Sequence, residues 1–137
     1  MNYDECLQHY GVTPAPNSAA EIRRMLAAET HVESKSQGDG DQELIKLNCI
    51  QLFSFGDVAD SVVIWSAKQC SFDMSCSIDV QLLCGAGVDE TLAYLDDLET
   101  DPASAAATYI RECITTGDFD DFSPADRLDG YRRYYGV

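Results

Sequence analysis

The sequence has few basic residues, only two histidines and no long apolar run. Nine lysines and arginines stand against 24 aspartates and glutamates, which gives a formal net charge of −15 at pH 7. This charge repels phosphates, so we expect neither nucleic acid nor an anionic membrane surface as a partner. A basic protein surface is the natural complement, and solubility alone is the competing explanation of the charge.

We expect neither a targeting segment nor a membrane anchor in this sequence. The first ten residues, MNYDECLQHY, are acidic and lack the apolar core of a signal peptide. No run approaches the roughly 18 apolar residues that a membrane span needs. We therefore expect a cytoplasmic protein without a membrane partner, in which the six cysteines stay reduced.

The motifs of common catalytic and metal sites do not occur. Cys70, Cys76 and Cys84 are spaced too widely for structural zinc, and both histidines lie far upstream. The segment DGDQE at 39–43 starts like a calcium loop but lacks its glycine and distal glutamate. A phosphate-binding loop, a nucleophile elbow and a zinc-protease motif are absent. The sequence therefore predicts no catalytic residue, no metal site and no cofactor.

Helical spacing of apolar residues is present along most of the chain. The clearest helix is DPASAAATYIRECITTG at 101–117, with Asp101 as the expected N-cap, Pro102 in the first turn and Gly117 at the end. The stretch 44–66 is ambiguous, because parts of it alternate as a strand would while its length favours buried helix. We predict an all-α fold of about seven to eight helices.

Two arrangements of these helices are open. Gly56, Gly87 and Gly117 recur at intervals of about 30 residues, as in a repeat of helix pairs. The intervals share no side-chain signature, so a single-domain helical bundle over 1–137 stands beside a short α-solenoid. The polar, glycine-containing segment 34–41 is predicted to be a flexible loop.

An acidic turn with two aromatic residues is the strongest local feature. In TGDFDDFSP at 116–124, Asp118, Asp120 and Asp121 surround Phe119 and Phe122 between two predicted helices. We expect the phenylalanines to anchor the turn on the core and the aspartates to project outward. Aspartates with Phe122 form the kind of surface that a basic, partly apolar partner would bind.

Four further acids are assigned to the same partner surface. Asp96 and Asp97 lie near a predicted helix C-terminus, where negative charge is unfavourable. Asp73 and Asp79 lie within CSFDMSCSID at 70–79, which we interpret as an ordered connection between helices with Phe72 packed on the core.

The segments IWSAKQCSFD and IDVQLLCGAGVDETLAYL resemble a group of uncharacterised bacterial helical proteins, over about residues 44 to 135. The small, acidic chain without catalytic motifs also resembles the immunity proteins of bacterial toxin–immunity pairs. The resemblance implies tight binding of a cognate toxin that carries a basic surface, with acidic side chains covering the cleft that holds its substrate. Two alternatives stay open, a helical-repeat adaptor that binds a basic partner and a carboxylate-dependent hydrolase.

Overall fold

The computed structural model describes residues 1–136, and over these residues it consists of α-helices, two 3-10 turns and connecting loops. The all-α prediction and the expected number of helices are confirmed. The helices are α1 (Tyr3–Tyr10), α2 (Ala19–Lys35), α3 (Gln42–Phe55), α4 (Asp60–Gln69), α5 (Phe72–Ser77), α6 (Val88–Leu98), α7 (Asp101–Thr115) and α8 (Pro124–Tyr135). The 3-10 turns are Pro16–Ser18 and Val80–Cys84.

The ambiguous stretch 44–66 forms two helices, most of α3 and the first part of α4. Asp41 caps α3 by accepting a hydrogen bond from the backbone N–H of Leu44 at 3.1 Å. Gly56 ends α3 with a φ of 69°, a left-handed conformation that glycine adopts without strain. Every residue from 44 to 53 is buried except Lys46, which is half-buried. A helix buried on nearly all sides has no polar stripe, so apolar periodicity could not separate it from a strand.

Helix α3 is the centre of the fold. It packs against α2, with which it shares the most extensive contact, and also against α1, α4, α5 and α8. In a solenoid each repeat touches only its neighbours along the chain. Helices α3 and α8 are far apart in the sequence, so their contact favours the bundle over the solenoid.

The connection at 70–79 is ordered and contains a short helix, α5. Ser71 caps α5 by accepting a hydrogen bond from the N–H of Met74 at 3.2 Å. Phe72 is 75% exposed, so the prediction that it packs on the core is wrong. Met74 is buried instead, because it lies two residues further round the helix and faces the bundle.

Side-chain hydroxyl groups cap the last two helices. Ser123 caps α8 by accepting a hydrogen bond from the N–H of Asp126 at 3.1 Å. The cap of α7 is Thr100 rather than Asp101, which is the first residue of the helix. Thr100 and Asp101 can each cap a helix, so the sequence alone did not fix which of them does so.

The polar segment 34–41 is hydrogen-bonded to a buried glutamate, Glu33. Glu33 is 1% exposed, and its Oε1 accepts hydrogen bonds from the backbone N–H groups of Gly38 at 3.0 Å and Gly40 at 3.1 Å. Helix α2 continues to Lys35, so the loop begins later than 34. The flexibility of the loop stays a prediction. No helix within residues 1–136 is long and apolar enough to cross a membrane.

Candidate functional site

The acidic turn begins with a helix-ending motif that needs glycine. The N–H of Gly117 donates to the carbonyl of Ile114 at 3.3 Å, and the N–H of Asp118 donates to that of Cys113 at 3.0 Å. These two bonds form a Schellman motif, in which the residue after the C-cap is left-handed. Gly117 has a φ of 91°, so a residue with a side chain would be strained there.

Two phenylalanines hold the turn against the bundle. The rings of Phe119 and Phe122 lie perpendicular at a centroid distance of 5.3 Å, and both are half-buried against the main core. The aromatic anchoring predicted from the sequence is therefore confirmed. Asp118, Asp120 and Asp121 alternate with the rings and are exposed. The turn thus presents three carboxylates on a backbone that the rings keep in place.

The turn is also fixed by a bond to a neighbouring segment. Gln81, in the 3-10 turn Val80–Cys84, donates from Nε2 to the backbone carbonyl of Asp118 at 2.6 Å. The hydroxyl of Thr116 donates to Asp118 Oδ2 at 3.1 Å. Gln81 therefore holds the backbone of the turn, and Thr116 holds the carboxylate of Asp118.

The turn forms one wall of an open cleft of about 270 Å³. Four carboxylates and one cation contribute to its lining, together with Phe122 and neutral residues. The charged lining residues are Asp118, Asp120, Asp121, Asp126 and Arg127. None of these carboxylates lies within 4 Å of a lysine, arginine or histidine nitrogen of the described chain. The cleft therefore carries uncompensated negative charge at neutral pH.

A second cleft of about 290 Å³ lies beside the first and shares Asp118, Gln81 and Arg127 with it. It also contains Lys68, which is 3% exposed. Burial lowers the pKa of Lys68, and the nearby carboxylate of Asp79 opposes that shift.

The ammonium group of Lys68 has a structural role. It donates to the backbone carbonyls of Ser75 and Ile78, at the end of α5, and lies 5.6 Å from the ring centroid of Tyr109. These contacts compensate the cost of burying the ammonium group, which would destabilise the fold if it had no hydrogen-bond partner.

Asp79 is held in the second cleft by a tyrosine. Tyr131 donates its hydroxyl hydrogen to Asp79 Oδ2 at 2.6 Å. Burial, and then the bond to Asp79, raise the pKa of Tyr131, so the hydroxyl stays protonated and keeps donating. Asp79 is half-buried, whereas Asp118 in the same cleft is exposed. Of the two, Asp118 has the more solvent-exposed side chain.

The structure gathers five of the eight predicted partner-binding residues around these two clefts. They are Asp79, Asp118, Asp120, Asp121 and Phe122. The other three line neither cleft. Asp73 accepts a hydrogen bond from Gln42 Nε2 at 3.0 Å, Asp96 pairs with Arg111 at 2.7 Å, and Asp97 is exposed on α6. These three acids lie outside the two clefts, and their part in partner binding stays a prediction.

Several lining residues were not predicted from the sequence. Ser123, the N-cap of α8, is followed at i+3, i+4 and i+7 by Asp126, Arg127 and Gly130, which puts the four residues on one side of the helix. That spacing was a readable signal. Gln81 gave none, because its place depends on the 3-10 turn that carries it.

Within residues 1–136, no three histidine, cysteine, aspartate or glutamate side chains are arranged to hold a metal ion. The chain was compared with protein-family models, curated proteins and solved structures, and no match was found.

Proposed function

We propose that this protein is a cytoplasmic bacterial immunity protein that binds and inhibits a cognate toxin through the acidic cleft. The observation that carries the proposal is the turn at 116–124, which presents three exposed aspartates without cationic partners beside half-buried Phe122. A basic residue of the toxin would enter the cleft, and the edge of Phe122 would supply apolar contact.

The exposure of the aspartates favours binding over catalysis. A carboxylate-dependent hydrolase needs an acid whose pKa is raised by burial in a cleft. Asp118, Asp120 and Asp121 are instead open to solvent. An unpaired cluster of like charges gains most when a basic protein surface covers it, which speeds association and discriminates against acidic partners. Packing of α3 with α8 also weakens the repeat-adaptor alternative, which rests on a solenoid.

The test starts by capturing the partner and continues with inhibition. The tagged protein would retain a basic protein from lysate of its source organism at moderate salt. The captured protein would then be expressed in a laboratory bacterium, alone and together with this chain. We expect growth arrest when it is expressed alone and normal growth when the two are expressed together.

The site is tested with two matched triple variants. Replacing Asp118, Asp120 and Asp121 with Asn should weaken binding by roughly 100-fold, since three charge contacts at about 1 kcal/mol each give that factor. The control replaces three exposed acids that line neither cleft, Asp4, Asp39 and Asp89, with Asn. It removes the same charge and should leave affinity within about threefold.

Three outcomes would contradict the proposal. Protection by the cleft variant equal to that of the wild type would place the interface elsewhere. Equal loss in both triple variants would mean that net charge, not the cleft, drives binding. A captured protein that is harmless when expressed alone would remove the immunity function and leave an adaptor.

A further inference from the structure

A surface groove separate from the two clefts described above is also lined by Arg127. It differs from the acidic cleft in the charge of its lining residues. It lies between α3 and α8 and measures about 270 Å³. Its lining residues are Lys46, Arg127, Gly130, Tyr131, Tyr134 and Tyr135. Cations and tyrosines line this groove, and no carboxylate does, although the chain has 24 acidic residues and nine basic ones.

Both cations of the groove lack an ionic partner. No carboxylate within residues 1–136 lies within 4 Å of the Lys46 ammonium or the Arg127 guanidinium. Arg127 Nε is buried without a hydrogen-bond partner. An unsatisfied buried donor is destabilising, and such atoms are rare in folded proteins. The hydrogen-bonding capacity of Arg127 is therefore not used up within the described chain.

The tyrosines supply flat, amphipathic walls. Tyr134 is 81% exposed, and its ring lies perpendicular to that of Tyr135 at a centroid distance of 4.9 Å. The Arg127 guanidinium lies 5.8 Å from the ring centroid of Tyr131. Burial raises the pKa of Tyr135 to about 12, so its hydroxyl is protonated at neutral pH and can donate. Aromatic faces beside cations suit a ligand that is itself planar and anionic.

Gly130 lines the groove and has no side chain. It lies inside α8, where glycine is a poor helix former. A Cβ built at Gly130 would meet no heavy atom within 4 Å, so no packing contact requires glycine there. Its backbone is not left-handed, so no turn requires it either. A side chain at this position would enter open space beside the groove and the acidic cleft, both of which Gly130 lines.

We propose that this groove binds a small planar aromatic molecule that carries a carboxylate or a phosphate. The ring lies on the tyrosine faces, and the anionic group lies between Lys46 and Arg127. The volume is at the small end of ligand pockets, which fits one ring or one fused ring system rather than a larger cofactor. The proposal does not rest on toxin binding at the acidic cleft, although Arg127 and Gly130 line both sites.

The proposal is tested by titration of the ¹⁵N-labelled full chain, followed by NMR chemical shifts. The probes are adenosine monophosphate and 2-naphthoate, which distinguish phosphate from carboxylate. Each has a neutral counterpart, adenosine and 2-naphthol. Acids around the groove will keep affinity modest, so titrations run to about 5 mM. We expect at least one anion to bind about tenfold more tightly than its counterpart, with shifts at Lys46 and along 127–135.

Two sets of substitutions test separately whether binding depends on the open volume of the groove and on its positive charge. Gly130→Trp fills the groove and should abolish binding, whereas Gly130→Ala makes the helix more favourable and should leave binding within threefold. Lys46→Gln and Arg127→Gln should each weaken binding about tenfold, since each removes a charge-assisted contact. Arg133→Gln is the matched control, because Arg133 is exposed on the same helix and does not line the groove. Thermal melts confirm that each variant is folded.

Three results would overturn the proposal. Equal binding of the anions and their neutral counterparts would show a merely apolar groove. Absence of binding up to the highest concentration would show that the groove takes no such ligand. Tighter binding of the peptide acetyl-Glu-Tyr-Glu-amide than of either small anion would assign the groove to an acidic protein segment instead.

Discussion

Replacing Glu33 with Gln should destabilise the protein more than any other neutralisation of a single acid on α2. The Glu33 carboxylate is 1% exposed and accepts four hydrogen bonds. Oε1 accepts from the N–H groups of Gly38 and Gly40. Oε2 accepts from Gln42 Nε2 at 2.8 Å and from Ser71 Oγ at 2.8 Å. One carboxylate therefore connects α2 to the following loop, to α3 and to the cap of α5.

The magnitude follows from the symmetry of these contacts. Glutamine matches the shape of glutamate but has an NH₂ group in place of one oxygen, and either oxygen position faces two donors. Two bonds to a charged acceptor are lost, at about 1.5 kcal/mol or more each, so we expect a loss of about 3 to 4 kcal/mol. For a chain of this size that corresponds to a fall in Tm of roughly 10 °C.

The assay is reversible denaturant unfolding at pH 7, followed by circular dichroism. Glu29→Gln is the matched control. Glu29 lies one turn earlier on α2, carries the same charge and accepts one hydrogen bond, from the N–H of Asp41 at 3.2 Å. Its substitution should cost less than about 1.5 kcal/mol.

The pH dependence tests the same reasoning. Burial acts to raise the pKa of Glu33, but the bonds from Ser71, Gln42, Gly38 and Gly40 together outweigh it and hold the pKa below its usual value. A lowered pKa means that the carboxylate stabilises the fold above its unfolded pKa of about 4.3 and loses this effect as pH falls. The stability gap between wild type and Glu33→Gln should therefore shrink below about pH 4. Equal stability of the two glutamine variants at pH 7, or a gap that widens in acid, would refute the account.

Two further predictions concern the site. Gly117→Ala should destabilise the fold by about 1 to 2 kcal/mol, because alanine is strained at a left-handed φ, whereas Gly130→Ala should stabilise it by about 0.5 to 1 kcal/mol in the same melts. Lys68→Met should cost about 2 to 4 kcal/mol, because the carbonyls of Ser75 and Ile78 lose their donor inside the protein. The exposed Lys35→Met is its control, and an equal effect of the two would contradict the structural role of Lys68.

The parts of the fold that were predictable from sequence are those set by local chemistry. Helix α7 has a proline in its first turn, an apolar face and a glycine after its end, and each feature acts within a few residues. The anchoring of Phe119 and Phe122 followed from their place between two helices. The interpretation of α3 stayed open because burial on all sides is a property of the whole bundle.

The wrong prediction for Phe72 arises from long-range packing. Phe72 and Met74 lie two residues apart on α5, and which of them faces the bundle depends on how α5 docks. Asp96 was grouped with the acidic turn by charge alone, yet its carboxylate is paired with Arg111. The number of acidic residues in a segment does not show which of them form ion pairs in the folded protein. The acidic cleft is distinguished by carboxylates that have no cationic partner.

Helix α8 separates two surfaces of opposite charge, and Arg127 lines both. No residue of α8 is fully buried, so few of its side chains are committed to the core. Arg127→Gln should therefore have opposite effects at the two sites. It removes the one cation of the acidic cleft and should strengthen binding of a basic partner by a few-fold, while it weakens an aromatic anion in the groove. Parallel titrations of the same variant measure both, and a change of the same sign at both sites would mean that Arg127 acts through stability rather than charge.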